Sequence, residues 1–273
     1  MVAQGPLDLH VRDTGAGGPT LVFLHYFAGS SRAWTEVIGR LQPRWRCLAV
    51  DLPGFGRSPP ADLAPSVAAY ADVVARLISV RGADRYVLVG HSMGGKIASA
   101  LAARQPRGLE ALVLVAPSPL SPEPMEEADR DHLLASHGQP GAAEALLRKI
   151  TRRPLGADAW IRAVDDNTTT SQAAWRWWLE RGGPEDLAPL ASSVRVRTLI
   201  VAAADDPVLP LHGHQALADR LAGPTRLSTV PDCGHLLPLE APGETAALIA
   251  GFIQAASSPP GEAVTPQGDL HVL

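Results

Sequence analysis

The chain has 273 residues, 46% of them hydrophobic and 19% charged, with Gly and Pro at 25 each. That composition excludes a disordered tail, a collagen and a disulfide scaffold, and fits a globular chain with a sizeable core. With 24 basic against 28 acidic residues the net charge is −4 without a long like-charge block. No basic cluster marks a nucleic-acid surface. Cys47 and Cys233 are too few for a disulfide framework and lie outside any metal-binding spacing. Neither a signal-peptide pattern nor an apolar run of about 18 residues is visible, so the default expectation is a cytoplasmic protein.

Taken in order, short apolar runs alternate with helical patterns. Thr20 to Leu24 and Cys47 to Val50 read as buried strands, and Val67 to Val80 has helical length and period. Tyr86 to Val89 is the next strand, Gly94 to Ala103 the next helix, and Ala111 to Val115 a further strand. From about Pro117 to Val196 the alternation stops. A Pro/Ser cluster opens a helical stretch without a convincing strand, and it holds Trp160, Trp175, Trp177 and Trp178. This insertion, residues 117–196, reads as a lid or cap. The alternation resumes with strands Thr198 to Ala202 and Thr225 to Val230 and helices His214 to Leu221 and Glu244 to Ala255. Strands alternating with helices predict a doubly wound, mostly parallel α/β sheet built from residues 1–116 and 197–256. Residues 257–273, rich in Pro, Gly and Ser, read as a mobile tail.

The chemistry is concentrated between the strand ending at Val89 and the helix that follows. Gly90-His91-Ser92-Met93-Gly94 has the G-x-S-x-G pattern in strand-then-helix context, which strains the serine backbone and projects its hydroxyl from the sheet edge. Serine is a weak nucleophile unless a base takes its proton. Asp232-Cys233-Gly234-His235 lies just past the last strand, which makes His235 the candidate base. A carboxylate should orient the imidazole. Asp205 and Asp206 both follow the strand ending near Ala203, and Asp206, directly before Pro207, is preferred. An oxyanion hole requires two amide donors. The Met93 N–H is one, and the loop after Leu24 supplies the other, from Phe27 or its competitor Tyr26.

The order Ser92, Asp206, His235 and these motifs resemble the α/β-hydrolase superfamily over roughly Leu7 to Ala255. Asp51-Leu52-Pro53-Gly54-Phe55-Gly56-Arg57-Ser58 is similar to that family's loop after an early strand, where the aspartate is structural. The residues around Gly94-Gly95-Lys96 and Gly234 to Glu240 are similar to the family as well. The serine separates the chain from dehalogenase relatives that use aspartate. Two departures stand out: His25 is followed by Tyr26 where the family has glycine, and Ala202 to Ala204 carry no glycine before the acid. Tyr26 is therefore a candidate substrate contact.

Trp175 and Trp178, three apart, are further candidates for the pocket wall. Asp165-Asp166-Asn167 lacks the spacing of a calcium loop. Lys96 reads as structural. The resemblance implies a serine hydrolase of a small-molecule carboxylic ester, with no metal, nucleotide or organic cofactor. On the same triad the alternatives are a carbon–carbon bond hydrolase, a lactonase, a thioesterase and a cofactor-free perhydrolase or haloperoxidase. A non-catalytic receptor is the alternative of a different class.

Overall fold

The computed structural model describes residues 8–60 and 65–255, so the tail expected at 257–273 lies outside the described residues. Seven strands form one sheet in the order β1-β3-β2-β4-β5-β6-β7. They are β1 (Val11–Thr14), β2 (Thr20–Leu24), β3 (Cys47–Val50), β4 (Tyr86–His91), β5 (Leu109–Val115), β6 (Thr198–Ala203) and β7 (Thr225–Val230). All pair in parallel except β1, which runs antiparallel to β3 with Val11 opposite Val50. The expected α/β sheet is thus present.

The sheet is covered on both faces, and the alternation of side chains decides which core each residue joins. Val22, Leu24, Leu48, Val50, Leu88 and Leu112 face one core. There they meet α2 (Val67–Val80), α3 (Met93–Ala103) and α8 (Leu211–Ala218). Leu21, Phe23, Ala49, Val87, Val89 and Val113 face the other, against α1 (Thr35–Leu41) and α10 (Pro242–Ala255). Double coverage explains why β2 and β3 are continuous apolar runs with every residue buried. Helix α2 shows the complementary logic. Ser66 caps it by accepting from the Ala69 amide, and Val67, Tyr70, Ala71, Val74 and Leu77 bury one stripe.

Between β5 and β6 the chain forms α4 (Glu127–Ala135), α5 (Pro140–Ile150), α6 (Ala157–Thr169) and α7 (Gln172–Trp177), followed by a π turn at Trp178–Gly182. Three side chains tie this segment to the sheet. Lys96 on α3 donates to the carbonyls of Gly183 (2.8 Å) and Ser121 (3.3 Å), one at each end of the segment. Arg32, in the loop after β2, pairs with Asp165 and Asp166 of α6, and Ser30 donates to Asp166.

The loop after β7 is held by a buried carboxylate. Glu240, on the short helix α9 (Leu237–Glu240), accepts from the amides of Gly234, Arg152 and Arg153 at Oε2 and from Leu236 at Oε1. One side chain thus fixes both the β7 loop and the chain leaving α5.

Three outcomes follow for stability. A Cβ on Gly94 would stand 2.5 Å from the Leu24 carbonyl oxygen and 2.7 Å from that of His25, both backbone. Gly94→Ala is expected to cost about 1–3 kcal/mol in urea unfolding. Gly39→Ala, in α1 with open space around it, should instead gain up to about 1 kcal/mol. Glu240→Ala strands four backbone donors, at least two of them buried, and should cost 2 kcal/mol or more, roughly 4–8 °C in melting temperature.

Candidate active site

The strand order reverses direction around β2: the chain leaves it for β3 on one side and reaches β4 on the other. Carboxyl ends of strands at such a switch point form a crevice. The loops after β2 and β4 meet there.

Ser92 occupies the turn between β4 and α3 at φ 51° and ψ −117°, a backbone region that side chains rarely adopt. Its amide donates to Val115 and its carbonyl accepts from Ser118, Gly95 and Lys96, which pin the turn from both sides. Ser92 Oγ lies 2.9 Å from His235 Nε2, and His235 Nδ1 lies 2.8 Å from Asp206 Oδ2. The three side chains come from the loops after β4, β6 and β7 and form one hydrogen-bonded chain. Asp205 is exposed and its amide bonds to the Cys233 carbonyl, so Asp206 alone of the pair faces the histidine.

The surroundings set the charges. Burial favours a neutral His235, but the Asp206 carboxylate overrides it, helped by Glu123 and Glu240, and the pKa is raised. Burial opposes ionisation of Asp206 too, yet His235 and the amides of Leu209 and Val208 hold its pKa down. Asp206 is thus an anion locked in place, able to keep a proton on Nδ1 and leave Nε2 free to accept one from Ser92. His91, pushed to about 3 by burial, is neutral. Its Nε2–H donates to the His235 carbonyl at 2.8 Å, while the His235 amide donates to Ile150.

The loop after β2 is organised by His25. Its Nδ1–H donates to the Tyr26 carbonyl (2.7 Å), and its Nε2 accepts from the Leu52 amide (3.0 Å). Ala28 then turns at φ 60°. Asp51 braces the same loop by accepting from Ser31 and Arg57, the structural part expected of it. Among the described residues, neither the Met93 nor the Phe27 amide donates within the turns and loops. Met93 opens α3, where first-turn amides lack helical acceptors.

A cavity of about 440 Å³ opens on Ser92 and His235. Its walls are mainly Phe27, Leu133, Leu146, Ile150, Trp178 and Val208, with Tyr26, Asn167 and Glu123 among the polar lining. Tyr26 and Trp178 line the cavity. Trp175 does not line it, which corrects the expectation from the sequence. It stands behind Phe27 (ring centroids 4.8 Å apart), and its Nε1–H is engaged by the Leu133 carbonyl. Both tryptophans pack on Phe27, Trp178 with ring centroids 6.3 Å apart, but only Trp178 lines the cavity. Val208, Ile150 and Glu123 were not legible as site residues, since each enters the cavity through tertiary contacts that no local pattern encodes. Among the described residues, no helix is long and apolar enough to cross a membrane.

With this geometry in hand, comparison with known proteins is informative. The model of the alpha/beta hydrolase family matches residues 21–248. The chain is 29% identical to 2-succinyl-6-hydroxy-2,4-cyclohexadiene-1-carboxylate synthase of Serratia proteamaculans, covering 87% of this chain and 94% of the relative. It is 31% identical to lipase LipV of Mycobacterium tuberculosis, covering 89% and 97%. An esterase from Exiguobacterium antarcticum shares the fold at a TM-score of 0.83 and 19% identity, over 90% of this chain and 95% of that one. The chain is an enzyme of the alpha/beta hydrolase family.

Proposed function

We propose that the chain is a serine hydrolase that cleaves a small carboxylic ester through an acyl-enzyme intermediate. The observation that carries this reading is the continuous relay from Ser92 through His235 to Asp206 at the floor of an apolar cavity. Ser92 Oγ attacks the acyl carbon and its proton passes to His235 Nε2. The tetrahedral oxyanion is received by the amides of Met93 and Phe27. The bond to the alkoxy group then breaks, and His235 returns its proton to the leaving alcohol. A water molecule gives a proton to His235 and attacks the acyl carbon. The Ser92 ester bond breaks, the carboxylic acid leaves, and the proton returns to Ser92 Oγ.

The helices between β5 and β6 act in this reading as a cap. They supply Leu133, Leu146, Ile150 and Trp178 to the cavity wall, and a largely apolar wall suits a small apolar acyl or alkyl group. The relative named a lipase supports ester hydrolysis. The relative named a synthase is the reason to test esters directly.

Ser92→Ala should lower kcat/KM on a p-nitrophenyl ester by at least about 10⁴-fold with the fold unchanged. Retention of activity would remove the proposal. The pH profile supplies an independent check. His235 must be neutral to accept the serine proton, and its pKa is raised above the ordinary 6.5. The rate should therefore fall as pH drops through a value above 6.5. In Asp206→Asn the dominant raising charge is gone while the burial remains. The acid limb should move to lower pH, with kcat reduced on the order of 10³–10⁴-fold. An unmoved limb would show that another group controls it.

A further inference from the structure

The wall of the cavity is largely apolar, and two of its buried side chains carry polar groups that the relay does not use. Tyr26 and Asn167 line the cavity at 5% and 6% exposure. Among the described residues, neither the Tyr26 hydroxyl nor the Asn167 side-chain amide has a protein hydrogen-bond partner, and neither belongs to the polar atoms shut off from solvent. The surface these two groups keep is cavity surface.

Each stands there against its local pattern. Ala159, Ala163 and Asn167 repeat every fourth residue along the buried face of α6, a stripe that packing alone would complete with an apolar side chain. The neighbours of Asn167 are engaged: Arg32 pairs with Asp165 and Asp166, and Thr168, Thr169 and Thr170 donate to carbonyls one turn back. The Asn167 amide keeps its N–H donors and its carbonyl acceptor unused. Tyr26 takes the position where the family has glycine. Its ring is seated on Gly29, where a Cβ would lie 2.6 Å from Cε1, and its carbonyl accepts from His25 Nδ1 and the Gly29 amide. Burial and the Asp166 carboxylate raise the pKa of the phenol, so it is an O–H donor. Tyr26 packs in one apolar cluster with Ala163, a helical turn before Asn167. The two polar groups therefore share one side of the cavity, next to Phe27.

A substrate entering the cavity displaces water from this wall. A hydrocarbon chain leaves both groups unpaired. A neutral oxygen on the chain restores their hydrogen bonds without bringing a charge into the cavity. We propose that Tyr26 and Asn167 are specificity-determining residues that receive a second, neutral oxygen of the substrate, a ketone or hydroxyl remote from the scissile ester. This rests on the proposed ester hydrolysis for the scissile bond, whereas the hydrogen-bonding subsite belongs to the cavity itself.

Turnover and binding separate the two layers. Methyl heptanoate and heptyl acetate are to be compared with derivatives that carry a ketone or a hydroxyl at successive carbons of the longer chain. At least one oxygenated ester should exceed its parent in kcat/KM by about 10-fold or more, and the faster of ketone and hydroxyl at that carbon tells which group the subsite takes. Tyr26→Phe and Asn167→Leu should each lower kcat/KM on that ester about 5-fold or more beyond any loss on the parent, chiefly through KM. The melting temperature of Asn167→Leu should be no lower than that of the unmodified chain, since leucine completes the apolar stripe. Equal losses on every ester in both variants would mark a merely structural part, and a preference that survives both would place the oxygen elsewhere; either overturns the proposal. Binding is read by titration calorimetry with 2-heptanone and the isomeric heptanediones, and each variant should weaken at least one dione about 5-fold or more beyond the monoketone. If this holds but no ester is cleaved, the hydrolytic reading fails and the subsite stands. If esters are cleaved without regard to a second oxygen, the reverse is true.

Discussion

A serine held with φ at 51° is the constraint around which the rest of the molecule is arranged. Such a backbone conformation costs about 1–3 kcal/mol and persists only where its surroundings leave no alternative. Here the surroundings are β4, which delivers Ser92 to the sheet edge, and α3, which leaves immediately and is buried almost throughout. A helix so enclosed requires glycine at its second and third positions, where a Cβ would stand 2.5 Å from the Leu24 carbonyl oxygen or 2.7 Å from Pro117. Gly94 lies against the carbonyls of Leu24 and His25, so the turn also fixes the distance to the loop after β2. The hydroxyl and the Phe27 amide are thereby set by one packing relation.

The relay needs a second restraint, because His235 and Asp206 arrive on loops. Neither loop is left to its own conformation. Asp206 is held by the Val208 and Leu209 amides, and His235 is held through its backbone by His91 and Ile150. Glu240 joins the β7 loop to the end of α5. The helical segment over the site is thus fastened to the same residues that aim the histidine. Lys96 and the Arg32–Asp166 pair fasten its other parts. Asp166 is desolvated enough for its pKa to rise to about 6, despite Arg32 and Ser30, so this attachment weakens as pH falls through that value.

Much of this was readable from residues alone, and the exceptions have physical causes. β2, β3 and β7 coincide with the runs Thr20–Leu24, Cys47–Val50 and Thr225–Val230, with Pro19 before β2 and Pro224 and Pro231 on either side of β7. β1 escaped notice because Val11-Arg12-Asp13-Thr14 is a part-exposed edge strand with two charged residues and no apolar run. α8 begins at Leu211 rather than His214, since Pro210 ends the preceding loop and permits the helix to start directly after it. The G-x-S-x-G pattern, the late histidine and the Asp-Pro step were legible because each is local. Glu123 and Glu240 were not, because their partners lie 60 or more residues away in sequence or are backbone amides. Trp175 and Trp178 show the limit of helical spacing as a guide: it places two side chains on one face without saying which neighbour will cover one of them.

The central claim is that an acyl group passes through covalent attachment to Ser92. Turnover of a slowly deacylating ester, quenched in acid and analysed by peptide mass spectrometry, tests it most directly. The account predicts one added acyl group, confined to the peptide containing Ser92 and disappearing as substrate is exhausted. Full turnover with an unmodified Ser92 peptide, or an acyl group on another residue, would contradict it.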